Sequence, residues 1–166
     1  MKILLLILIV PVFAASQTIH IKDKEIYYEG KEHLDRPPAD LTIALPRLMG
    51  RSSTDYRIEE HAGDSINTSA RMRLSTPYHL VRYVNYKLKL KRLSDGYEYV
   101  IDSVFLTDQE RGEKVDTLSS EKLLENMEET GDIVGVTEKI LNEIDMRFQE
   151  LIAMLRSEMK KSQPSR

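Results

Sequence analysis

The chain is expected to fold as an α+β domain, an antiparallel sheet packed on one face by a long C-terminal helix. Three observations predict it. Apolar and polar residues alternate in short runs through the first two-thirds of the chain, with turn residues between the runs. Within residues 83–108 lies Asp95-Gly96, the strongest short-range hairpin signal. From Val136 to Lys160 the apolar spacing becomes helical. Strands first and a helix afterwards is the segregated pattern of α+β folds.

The chain of 166 residues opens with "MKILLLILIVPVFAASQ". Lys2 is a positive n-region, Ile3 to Phe13 a short apolar run, and Ala14, Ala15 and Ser16 are small. This is the layout of a secretory signal peptide, with cleavage expected after Ser16 or Ala14. The apolar run is shorter than the ~20 residues that span a bilayer. No further transmembrane run follows, so none is expected after cleavage. The expected organisation is a signal peptide over 1–16, one α+β domain over 17–161 and a disordered tail over 162–166. The expected place is outside the cytoplasm, periplasmic or secreted.

Residues 17–30 alternate, with Ile19 and Ile21 on one arm, Ile26 and Tyr28 on the next, and Lys22 to Lys24 between them. That predicts a strand or short hairpin. "DRPPAD" breaks regular structure. In "LTIALPRLMG" Leu41, Leu45 and Leu48 share a helical face, although "LTIAL" also alternates and Pro46 must kink any helix. "DYRIEEHAGDSINTSARMRL" reads as two strands about a Gly63-Asp64 turn.

With Asp95-Gly96 at the turn centre, Ser94 pairs with Tyr97, Leu90 faces Ile101 and Tyr86 faces Phe105. Val84, Tyr86, Leu88, Leu90, Tyr99, Ile101 and Phe105 then form a core face. Lys87, Lys89, Lys91, Glu98 and Asp102 form the other, with Lys89 opposite Asp102. A slip of one residue would set Leu88 against Asp102. Val100, Val104 and Leu106 fall on the charged face in this register.

Ser119 is an N-cap for a short helix in "SSEKLLENMEETG", with Glu121 in its first turn and Gly131 as its stop. In the long helix Val136, Ile140, Leu141, Ile144, Phe148, Leu151, Ile152, Leu155 and Met159 recur at helical spacing. Arg156, Lys160 and Lys161 suit the negative end of its dipole.

The centre of the chain resembles an uncharacterised family of secreted bacterial proteins whose domain has a TATA-box-binding-protein-like (TBP-like) fold. The resemblance runs roughly from Asp55 to Asp108. It rests on "DYRIEE", a glycine turn, "TSARMRL", a long strand, "SDGYEYVIDSV" and a following amphipathic helix. It implies a curved antiparallel sheet backed by helices. It implies no activity and no DNA binding, because fold does not carry function.

The residues themselves assign no chemistry. The chain has no cysteine, hence no disulfide, thiolate ligand or cysteine nucleophile. His20, His33, His61 and His79 form no zinc spacing. "EEHAGD" is acidic but lacks the alternating run and terminal glutamate of a calcium loop. Ser119 and Lys122 match S-x-x-K without its companion motifs. No catalytic, cofactor-binding or metal-ligating residue is therefore expected, and no cofactor. The net charge of −3, and a lysine stripe facing its own acidic partner strand while the aromatics point away, argue against nucleic acid.

The leading expectation is a non-catalytic exported domain of the bacterial cell envelope that binds a protein partner or a second copy of itself. Its candidate interaction face is on the C-terminal helix: Met146, Phe148, Ile152, Met154, Leu155 and Met159, the two methionines at 146 and 154 lying off the main apolar stripe. The alternative is a carrier holding a small or lipidic ligand between sheet and helix.

Overall fold

A computed structural model describes residues 21–35, 40–52, 55–75, 81–109, 116–128 and 132–161. The expected signal segment 1–16, much of "DRPPAD", residues 76–80 and 110–115, Gly131 and residues 162–166 lie outside these residues.

A small hairpin comes first, β1 (Ile21–Lys22) and β2 (Glu25–Ile26). Its turn residues Asp23 and Lys24 both have positive φ, 53° and 63°, as a two-residue primed turn requires. Then follow β3 (Tyr28–His33), α1 (Leu41–Ser52), β4 (Asp55–Ala62), β5 (Ser65–Arg73), β6 (Val81–Leu93), β7 (Gly96–Gln109), β8 (Asp116–Ser119), α2 (Ser120–Glu128) and α3 (Asp132–Lys161).

β4 to β7 form an antiparallel meander. β3 pairs with the first half of β7 and β8 with its second half, giving a six-stranded sheet of order β3-β7-β6-β5-β4 with β8 beside β7. At 14 residues β7 is long enough to hold two short partners along one edge.

α1 settles the ambiguity of "LTIAL" in favour of helix. Asp40 caps it: its Oδ1 accepts bonds from the Thr42 backbone N–H at 2.7 Å and the Thr42 hydroxyl at 2.6 Å. Pro46 sits inside this helix and removes one backbone bond to Thr42. Burial of Leu41, Ala44, Leu45, Leu48 and Met49 holds the helix in spite of it. α3 is longer than its apolar pattern, starting at Asp132 and running about 45 Å at 1.5 Å per residue.

All three helices contribute to one core with one face of the sheet. Phe148 of α3 lies at its centre, its ring 5.2 Å from those of Tyr28 on β3 and Tyr86 on β6. Leu45, Leu48, Leu123, Leu88 and Ile101 belong to the same core cluster.

The β6–β7 register differs from the expectation. Leu93 pairs with Gly96, Leu90 with Tyr99 and Leu88 with Ile101, two residues away from the expected partners. A shift of two keeps every side chain on its face, so alternation alone could not distinguish the registers. The loop is Ser94-Asp95, and Gly96 is the first residue of β7. A Cβ at Gly96 would overlap the carbonyl oxygen of Glu32 on the neighbouring β3.

Phe105 was expected in the core and is instead exposed. Asn85 pairs with Phe105 and Lys87 with Asp102, so β7 holds one extra residue in this interval. The extra residue sits at Ser103, whose φ is +53°. The bulge inverts the alternation beyond it. Val104 and Leu106 turn into the core, and Phe105 turns out among the charged residues.

Candidate interaction face

The helices cover one side of the sheet. On the other side the outward residues of β4 to β7 form rows across the strands. Lys87, Lys89 and Lys91 stand along β6, and each finds a carboxylate. Lys91 Nζ is 3.5 Å from Glu98, directly opposite. Lys89 Nζ is 2.6 Å from Asp102, on the diagonal in the true register. Lys87 Nζ is 3.4 Å from Glu59, reached across β5. Glu59 is itself the bulged residue of β4. The Ser69 hydroxyl donates to it and, with Lys87 beside it, holds its carboxyl below the usual carboxylate range.

Between two of these rows runs a shallow trough of about 350 Å³. One wall is Arg57, Ser69 and Lys87, and the other is Asp55, Arg71, Asn85 and Phe105. Ala70 and Tyr86, whose side chains point to the core, contribute the floor, and Ser103 closes one end. Phe105 is 37% exposed. Arg71 lies over the Tyr83 ring at 4.9 Å and 3.5 Å from Asp55. Asn85 Nδ2 donates to Thr107 Oγ1 at 3.0 Å. The face therefore combines aromatic and basic groups, which the sequence had placed on opposite sides.

The helix residues named above lie elsewhere. Phe148, Ile152, Leu155 and Met159 are each at most 4% exposed, packed in the chain's own core. Met154 is half-buried against that core, and Met146 is 40% exposed. The outward side of α3 around Met146 is polar, with Asn142, Gln149, Arg156 and Lys160 exposed.

The acidic stretch Glu59-Glu60-His61-Ala62-Gly63-Asp64 is dispersed rather than convergent. Glu60 accepts from Asn67 at 2.8 Å, and Asp64 accepts from Arg92 at 2.8 Å. Among the described residues no group of three or more His, Cys, Asp or Glu is placed to hold a metal ion. His33 pairs with Asp95 at 2.9 Å, while His20 and His79 lie outside the described residues. Ser119 caps α2, its Oγ accepting from the Lys122 N–H at 3.2 Å, and Lys122 Nζ bonds Glu125. No described helix is long and apolar enough to cross a membrane.

The trough residues Arg57, Arg71, Asn85 and Phe105 escaped sequence reasoning. One signal could have found Phe105. Val104 and Leu106 sat on the charged face of the expected hairpin, and one inserted residue corrects both and exposes Phe105.

No family model matches the chain, and no curated protein matches it. Two solved structures are similar to it. One is a TBP-like protein from Parabacteroides distasonis, with a TM-score of 0.68 and 12% identity, covering 86% of this chain and 97% of that one. The other is a DUF4468 family protein from Bacteroides ovatus, with a TM-score of 0.64 and 10% identity, covering 87% of this chain and 91% of that one. At these identities the likeness is one of fold and carries no activity. The chain has a TBP-like α+β fold, with an antiparallel sheet of six strands and a long C-terminal helix.

Proposed function

We propose that this chain is an exported, non-catalytic domain of the bacterial cell envelope that works by binding another protein. The observation that carries the reading is the exposed sheet face, where Phe105 stands in a trough among outward-facing charges. Aromatic residues and arginines are enriched where proteins meet, and this face carries Phe105 beside Arg57 and Arg71. The signal-peptide layout of residues 1–16 supports export. The sheet is favoured over α3 as the contact surface, because α3 spends most of its apolar side chains on the core.

The carrier reading has less support. It needs room between sheet and helices, and there Tyr28, Tyr86, Leu88, Ile101 and Phe148 are each at most 3% exposed.

Native mass spectrometry of the protein, isolated gently from the envelope of its own cells, tests the reading. Bound protein mass, from a partner or a second copy, is expected. A small non-covalent adduct in place of protein mass would contradict it.

A further inference from the structure

We infer that the trough takes a short acidic segment of the partner protein. An apolar side chain of that segment lies on Phe105, and its carboxylates sit among Arg57, Arg71 and Lys87. The inference rests on the partner-binding reading and names the chemistry of the partner.

The charge count favours it. Arg57, Arg71, Lys87 and the adjoining Lys89 face the three carboxylates of Asp55, Glu59 and Asp102, which leaves one positive charge in surplus at the trough. The pairs of the first three are loose. Arg57 is 3.6 Å from Glu59, Arg71 is 3.5 Å from Asp55, and Lys87 is 3.4 Å from Glu59. Charge-assisted bonds of good geometry are shorter, ~2.7–2.9 Å. On the same face Lys89–Asp102 closes to 2.6 Å. A long, exposed ion pair contributes little, so exchanging its carboxylate for one from a ligand costs little.

The apolar part has its own place. Phe105 is held outward by the Ser103 bulge, so its exposure is fixed by the backbone rather than by a choice of rotamer. The Asn85 amide is fixed on the same wall by Thr107 and offers its carbonyl to a peptide N–H.

A nucleic acid is the other anionic occupant, and the face suits it less. Asp102 stands opposite Lys87 at the edge of the trough, Glu60 and Glu98 continue along the sheet beyond it, and the chain carries a net charge of −3. A phosphate backbone needs basic contacts over its whole length. A short acidic peptide needs only the local surplus.

The test is fluorescence anisotropy with a dye-labelled Glu-Glu-Phe-Glu-Glu peptide, a Lys-Lys-Phe-Lys-Lys peptide and a short oligothymidylate. The protein is purified from cells expressing the full chain. The acidic peptide is expected to bind most tightly. Arg71→Glu, Lys87→Glu and Phe105→Ala are each expected to weaken it by about fivefold or more, whereas Lys91→Glu, at the far end of the stripe, leaves it unchanged. An unchanged melting temperature confirms that each variant folds. Equal binding of the lysine peptide or the oligothymidylate would overturn the inference. So would equal weakening by Lys91→Glu, or no binding of the acidic peptide at all. If the acidic peptide fails while protein mass is still carried in the native measurement, the acidic partner alone is refuted. If the native measurement shows a small adduct instead, the partner reading itself fails.

Discussion

The Tyr28 hydroxyl on β3 donates a 2.7 Å hydrogen bond to Asp145 Oδ1 on α3, inside the core. It is a polar tie between an outer strand and the covering helix, beside the Phe148 ring. Asp145 is 1% exposed, and its other oxygen, Oδ2, has no hydrogen-bond partner among the described residues. Among the described residues Tyr28 thus supplies the one hydrogen-bond partner of this buried carboxyl group.

Tyr28→Phe is expected to destabilise the protein by ~1–3 kcal/mol, because it strands that carboxyl group. Adding Asp145→Leu removes the stranded group and is expected to restore most of the loss. Urea unfolding of both single variants and the double variant checks this. Additive losses would show that the two groups act separately.

Alkaline pH probes the buried tyrosines. Burial pushes the Tyr28, Tyr97 and Tyr99 phenols above their ordinary value of 10.0, and the Asp145 bond adds to the effect at Tyr28. A raised folded-state pKa means that the folded chain keeps protons the unfolded chain loses. The contribution is intact below pH ~10 and falls as pH rises beyond it, by up to ~1.4 kcal/mol per pH unit for each phenol. Urea midpoints across this range, read beside tyrosinate absorbance, are expected to fall together with ionisation.

The glycines should separate by environment. Gly96→Ala is expected to cost several kcal/mol, since its Cβ would overlap the Glu32 carbonyl oxygen where β3 joins β7. Gly63→Ala meets open space but has φ +57°, and is expected to cost ~1 kcal/mol. Gly50→Ala, in open space on α1, is expected to gain up to ~1 kcal/mol. Thermal melts of the three rank them.

The bulge assigns opposite fates to neighbours. Leu106→Ala is expected to cost ~2–5 kcal/mol and Phe105→Ser less than ~1 kcal/mol. Ser103→Gly relieves the +53° φ and is expected to stabilise by ~1 kcal/mol. Denaturant midpoints decide it. Equal losses at 105 and 106 would contradict the bulge.

Much of this fold was legible in the chain because period is a local property. The helical spacing of Ile144, Phe148, Leu151 and Leu155 identified α3, and the alternation around Asp95-Gly96 identified the central hairpin. The ion pairing of the lysine stripe was legible too, since a shift of two residues preserves faces. Three features were hidden. Pairing of β3 with β7 joins residues far apart in sequence. The Ser103 bulge has no glycine to mark it. The helical face of Leu41, Leu45 and Leu48 was legible as one of two readings, but not that α1 continues past Pro46, where burial of Leu45, Leu48 and Met49 outweighs the missing bond. Phe105 was left out of the candidate face for the second of these reasons: without the bulge, it reads as core.

The most direct test of the account is paired photo-crosslinking in the native cell. A photoreactive side chain replaces Asn85 on the outer sheet face in one variant and Gln149 on the exposed side of α3 in another. A protein adduct is expected from position 85 and none from position 149. An adduct from position 149 alone would return the contact to the helix and contradict the central claim.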